Sequence, residues 1–200
     1  MKRFARSSQE RQSMAYYKNV PSNINKKFLT RKVDAAFISS INARKQTNVS
    51  LGIIAKKEVL SVLLVPQDSS KKDSDSASSN VLADVLGLRG EVLIGDKALR
   101  YYLDGKEHID LAKEWYERYN LPFVFALLCF HKDKNRYKSI EKQFLKSKVK
   151  IPYYLLEKAS KRTNVSKKDI LNYLQYISYD LDEKAQKGLN LFYKLSQKHS

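Results

Sequence analysis

At 200 residues the chain can bury one good core, or two small lobes that share a hinge. Hydrophobic residues at 42% and aromatics at 11% exclude a disordered polyelectrolyte, and no apolar run approaches the ~20 residues of a membrane-spanning helix. Thirty-eight Lys and Arg against twenty-one acids leave +17, a charge that alone points to nucleic acid.

In chain order, residues 1–19 are polar and basic with weak periodicity and read as a frayed helix or tail; MKRFARSSQERQS has no apolar signal core. Pro21-Ser22 opens a helix with Ser22 as N-cap and Ile24, Phe28 and Leu29 on one face. VDAAFISSI predicts a short buried strand running into a Ser39-Ser40 turn. Val49–Ile54 and EVLSVLLV (58–65) are two further strands. The Ser/Asp/Lys-rich stretch 66–80 is a loop ending at Ser78-Ser79-Asn80, where a helix over 81–86 begins.

Gly87 stops that helix, and GEVLIG is a strand whose Gly95-Asp96 turn opens the next helix. Ile109, Ala112, Trp115, Tyr116 and Tyr119 recur at helical spacing over 108–119. LPFVFALLC (121–129) reads as a strand buried on both faces, and everything beyond it reads as helical. There Ser166 with Asp169 forms a capping box, and Asp182 caps a last helix carrying Ala185, Leu189, Phe192 and Leu195.

Strand, Gly-turn, helix and buried strand in this order describe an open α/β sheet with a ligand crevice at the strand ends. EVLSVLLV and LPFVFALLC are the two crossings between lobes. Residues 66–122 then form a small lobe, and 1–65 with 123–200 form the other, closed by the C-terminal helices.

The basic excess falls mostly on outer helix faces in the C-terminal third, at Lys142, Lys146, Lys158, Lys161, Lys184 and Lys187. No Arg-rich arm or zinc-finger spacing accompanies it. This pattern suits a solvated surface that steers a small anion, with nucleic acid as the alternative partner. The single cysteine, Cys129, lies in the buried strand and reads as a core residue, which together with the missing signal indicates the cytoplasm. His108, His131 and His199 are scattered without metal-ligand spacing. With six glycines, no GxGxxG, no phosphate loop and no GxSxG elbow, neither a metal nor a nucleotide cofactor is expected.

What remains is hydroxyls at helix starts. Ser39-Ser40 and Ser78-Ser79-Asn80 each precede apolar periodicity, so each either caps a helix or joins its N-terminal amides in holding a carboxylate. Ser61, alone in an apolar strand, is either bonded to a nearby carbonyl or aimed at a ligand. Asp96, beside Gly95, either caps its helix or lines the crevice mouth. Asp110 and Glu114, one helical turn apart, read as a solvated salt-bridge face rather than a catalytic pair.

From about Val20 to Leu195 the chain resembles the chorismate dehydratases of the futalosine route to menaquinone. The phrases that carry the likeness are VDAAFISSI, SVLLV, SASSN, IGDKAL, DLAKEW, LPFVFA and ISYDLDEKAQKGLNLFYKL. The resemblance implies a hinged two-lobe, periplasmic-binding-protein-like (type II) fold. It also implies dehydration of chorismate to 3-[(1-carboxyvinyl)oxy]benzoate without metal or organic cofactor.

By the same likeness Ser61 is the hinge-strand serine facing substrate and Ser78 and Ser79 belong to a carboxylate-binding turn. Ser39 and Ser40 line the same cleft, with Asn80, Gly95 and Asp96 at its edge. Family members begin with a strand and a Leu-Asn-x-Leu-Pro turn whose Asn contacts substrate; Met1–Tyr17 contains neither, and Asn19, Asn23 and Asn25 do not stand in for it. A second departure is the short Gly87–Gly90 connection, where many members carry an extra strand and helix. A non-catalytic small-carboxylate binder, left by truncation, is therefore the alternative function.

Overall fold

The computed structural model describes residues 21–147 and 151–199, and the reading of residues 1–19 lies outside them. The elements are α1 (Pro21–Leu29), β1 (Ala35–Ser39), α2 (Ser40–Ala43), β2 (Asn48–Ala55), β3 (Val62–Pro66), α3 (Ala77–Val85), β4 (Gly90–Ile94) and α4 (Gly95–Leu103). They continue with β5 (Ile109–Asp110), α5 (Leu111–Tyr119), β6 (Phe123–Phe130), α6 (Lys134–Lys146), α7 (Tyr153–Thr163), α8 (Lys167–Tyr173), β7 (Ile177–Asp180) and α9 (Glu183–Ser196). None of these helices is long and apolar enough to cross a membrane.

The strands form two antiparallel sheets, one ordered β1-β6-β2-β7 and the other β4-β3-β5. The chain passes from the first sheet to the second between β2 and β3 and returns between α5 and β6. The α/β class holds, but β4 and β6 lie in different sheets, so the strand–turn–helix–strand phrase spans two sheets rather than building one.

The first sheet is covered on both sides, which explains the unbroken apolar run of β6. Val124, Leu127 and Cys129 face Phe28 of α1 and Ala185 and Leu189 of α9. Leu128 and Phe130 face Tyr137 and Ile140 of α6. Burial pushes the Cys129 thiol up to about 12. At pH 8 its thiolate share is then on the order of one part in ten thousand. The native protein is expected to resist a thiol reagent at pH 8 and to consume one equivalent once unfolded; prompt labelling of the native state would place Cys129 at the surface.

A second core joins the two sheets. Val62, Leu64 and Val92 of the second sheet pack with Leu82, Leu111, Trp115, Phe123 and Phe192. Trp115 is fully buried and meets the Phe123 and Phe192 rings edge-on. Aromatic contacts of this kind add to the area they bury. Gly188 of α9 sits where any β-carbon would overlap the Pro122 carbonyl, so the helix lies directly on the returning crossing.

Several expectations shift. β3 is the central strand of the second sheet, so the outgoing crossing is the segment 56–61 ahead of it rather than EVLSVLLV itself. α7 and α8 do not close the first sheet: Leu156, Val165 and Ile170 bury against Leu60 and Leu99, on the side of α4. The region after β6 is not wholly helical, because Ile177–Asp180 adds an edge strand to β2. Residues 109–110 pair with β3 instead of opening a helix at 108. In α1, Asn25 takes the buried position expected for Leu29, which is 48% exposed.

Candidate functional site

The serine-bearing turns do meet. Ser40 opens α2 beside the first sheet and Ser78 lies in the first turn of α3 beside the second, and their hydroxyl oxygens are 2.9 Å apart. The Ile41 amide also donates to Ser78 Oγ at 3.2 Å. Both side chains are buried. Tyr193 of α9 donates its hydroxyl to the Ser40 carbonyl at 2.8 Å, and burial holds that phenol well above the usual tyrosine range. The carbonyl of Ser40 is thereby fixed by a donor that stays protonated.

The flanking serines are occupied locally. Ser39 Oγ accepts from Asn25 Nδ2 at 2.8 Å, while the Ser39 amide donates to Asn25 Oδ1 at 2.9 Å. α2 is a single turn, and Ser39 makes no side-chain cap to it. The start of α3 also differs from expectation: its N-cap is Ser76, and the helix begins at Ala77 rather than Val81. Ser76 Oγ accepts from the Ser79 amide at 3.3 Å and donates to Ser79 Oγ at 2.7 Å. Asn80 ties down the loop before it, accepting from the Asp73 amide and donating to the Asp73 carbonyl. Asp73 in turn accepts from Lys97 Nζ at 2.7 Å, a bond that raises the lysine pKa.

A cleft of about 590 Å³ opens between α1 and the 72–76 loop with the start of α3, lined by Ser22, Asn25, Lys26, Asn42, Lys72 and Asn80 among others. That volume fits a small-molecule site. Asn42 and Ala77, close neighbours of Ser40 and Ser78 in the chain, line it, whereas the two serine side chains do not. Ser22, expected as an N-cap, instead lies inside α1 and donates to Asp75 across this cleft at 3.1 Å.

Ser61 keeps different company. Its hydroxyl is 3.0 Å from the Tyr173 hydroxyl of α8, and its carbonyl accepts from the Gly95 amide at 2.8 Å. Among the described residues it shares no hydrogen bond with the Ser40–Ser78 pair. Asp96 does not cap α4, whose N-cap is Ile94; its carboxylate accepts from Arg162 of α7 at 2.7 Å on the surface. Gly95, at φ +62°, supplies the left-handed residue at that turn. A separate hollow of about 430 Å³ lies along Lys56–Glu58 and Gln175–Ser178.

Asp110 is the largest revision. It is 8% exposed and not on a solvated face. One carboxylate oxygen accepts from the Ala112 and Lys113 amides, capping α5. The other accepts from Val59 at 2.9 Å and Leu60 at 2.7 Å, on the outgoing crossing. Glu114 is not its partner but pairs with Arg118. Asn25, Tyr173 and the Asp110 clamp were missed from sequence. Asp before Leu-Ala-Lys-Glu carries an N-cap signal that would have found the last; Tyr173 has no local signal.

Comparison with known proteins agrees with this architecture. A family model described as menaquinone biosynthesis matches residues 78–198. A chorismate dehydratase of Campylobacter jejuni (subsp. jejuni serotype O:23/36, strain 81-176) is 46% identical over 186 residues, which is 91% of this chain and 83% of that protein. Protein AF1704 of Archaeoglobus fulgidus, solved by crystallography, superposes with a TM-score of 0.59 over 91% of this chain and 84% of its own, at 12% identity, and so shares the fold. With nearly half its residues in common with that Campylobacter relative over most of its length, the chain belongs to the chorismate dehydratase family.

Proposed function

We propose that this protein dehydrates chorismate to 3-[(1-carboxyvinyl)oxy]benzoate in menaquinone biosynthesis, in the cytoplasm. The observation that carries the reading is the 46% identity to a chorismate dehydratase over 91% of the chain. The buried contact between Ser40 and Ser78 supports it from the side of geometry, because two sheet units each bring a hydroxyl to one place. In this reading residues 62–122, with α7 and α8 packed on them, form one lobe and the first sheet with α1, α6 and α9 forms the other.

The chemistry asks little of the protein. Chorismate loses a ring proton and a ring hydroxyl as water, and aromatisation drives the step. The protein has to hold a dianion in place and stabilise the departing oxygen. Ser39, Ser40, Ser78, Ser79 and Asn80 supply hydroxyl and amide donors at the boundary of the lobes, and Ser61 supplies a hydroxyl on the outgoing crossing. Gly95 and Asp96 serve the fold of the α4 turn in this scheme.

The test is direct. Chorismate incubated with the protein should lose its absorbance and yield the carboxyvinyloxy benzoate by chromatography. Intact chorismate at high protein concentration rejects the reading, and thermal stabilisation by chorismate without product would favour a non-catalytic carboxylate binder. A Ser78→Ala variant is expected to raise KM on the order of tenfold, since a hydrogen bond to a charged acceptor contributes about 1.5 kcal/mol or more.

A further inference from the structure

Ser61 stands at the end of an unusual piece of backbone. Leu60, just before it, has φ +61°, a left-handed conformation that a bulky residue rarely adopts. Leu60 is nevertheless buried, at 4% exposure, against Leu99, Leu156 and Ile170. The strain is held from one side by Asp110, whose carboxylate takes the Val59 and Leu60 amides. From the other side the Ser61 carbonyl is bonded to the Gly95 amide. The turn therefore fixes both the position of Ser61 and the direction in which its side chain leaves the strand.

The remaining freedom is the rotation of the hydroxyl. Tyr173 Oη lies 3.0 Å from Ser61 Oγ. A phenol is the better acid of the two, so it is the better donor, and burial raises its pKa, which keeps the proton on it at neutral pH. With Tyr173 donating, Ser61 Oγ accepts, and the serine proton is left to be given elsewhere. A serine fixed in this way presents a pre-oriented donor, which is worth more than one that must be ordered on binding.

We infer that Asp110 and Tyr173 are positioning residues for Ser61: the first locks the strained Leu60 turn that places it, and the second accepts no role of its own but orients the serine hydroxyl so that it donates to the substrate. Neither touches substrate in this scheme. The inference rests on the reading of the protein as a chorismate dehydratase with Ser61 facing its substrate.

The test is a mutant cycle in the full chain with Ser61→Ala, Tyr173→Phe and the double variant. Each protein is followed by kcat, KM and melting temperature, with chorismate as the probe. Tyr173→Phe keeps the ring and its packing, so it is expected to fold and to lower kcat about tenfold while leaving KM within twofold. In the Ser61→Ala background the same change should have no further effect on kcat. Asp110→Asn should likewise lower kcat in the parent and not in Ser61→Ala, even though its loss of melting temperature persists in both.

If Tyr173→Phe lowers kcat equally in both backgrounds, or leaves it unchanged in the parent, the positioning role is overturned while the dehydratase reading stands. If the parent protein turns over no chorismate, the dehydratase reading has failed. The inference, which presupposes turnover, is then overturned with it, and the two failures stay distinguishable because loss of the positioning role alone leaves the parent active.

Discussion

Replacing the buried Asp110 by alanine is expected to lower the stability of the fold by about 4 kcal/mol. Loss of the α5 cap accounts for about 1 kcal/mol of this. The two bonds to the outgoing crossing, each to a charged acceptor, account for about 1.5 kcal/mol apiece. The four amides that lose their acceptor are mostly shut off from water, since the residue is 8% exposed, so solvent does not replace it. For a chain of this size about 4 kcal/mol corresponds to a fall in melting temperature of roughly 10 °C. Asparagine retains one acceptor oxygen but turns an NH₂ toward two amide donors, and should recover less than half the loss. Urea unfolding monitored by the fluorescence of Trp115 measures both; a loss under about 1 kcal/mol for the alanine variant would show that the clamp is idle.

Gly188→Ala should also destabilise, and here two effects of opposite sign compete. Alanine in a helix interior is favoured over glycine by about 1 kcal/mol. Against this, the new β-carbon would overlap the Pro122 carbonyl, a backbone group that no rotamer change can move aside. Overpacking of a rigid neighbour costs about 1–3 kcal/mol and sometimes more, so after the helix gain a net loss of about 1 kcal/mol is expected. The helix must lift off the returning crossing or the crossing must bend. Because Phe192, one turn further along α9, is part of the core that joins the sheets, the shift should also change near-ultraviolet circular dichroism from Trp115. An unchanged spectrum with raised stability would mean that the helix and crossing slide past each other freely.

How far the chain could be read in advance depended on whether the signal was local. The capping box at Ser166–Asp169 and the cap at Asp182 were legible because both are short-range hydrogen-bond patterns written in consecutive residues. β6 was legible because burial on two faces leaves an unbroken apolar run. β7 was not: Ile177–Asp180 is an edge strand with two half-buried and two exposed residues, and its four letters look like the end of a helix. The start of α3 was misplaced because Ser76, Ser78 and Ser79 are equally good caps by composition, and only Ser76 has the extended backbone of one.

The site divided in the same way. Serine turns at Ser40 and Ser78 could be picked from sequence as polar groups where helices start, yet their mutual contact joins positions 38 residues apart and is a product of the whole fold. Asn25 carries no local signal of a role in the sequence; in place it is a buried side chain that both donates to and accepts from Ser39. Asp96 was attractive for its place after a glycine, but the charge of Arg162, brought up by α7, claims it at the surface. Tyr173 pairs with Ser61 across 112 residues, and no window of sequence shows such a partnership.

Under the proposed function, the pairing of Ser40 with Ser78 carries a consequence for selectivity. Two alcohols that bond to each other are content without a guest, so an apolar visitor or a single weak acceptor gains nothing by prising them apart. An anion with oxygens to offer both partners trades one neutral bond for two charge-assisted ones, and the exchange runs in its favour. If the pair holds the substrate, as proposed, the resting contact is a threshold that sorts entrants by how many strong acceptors they bring.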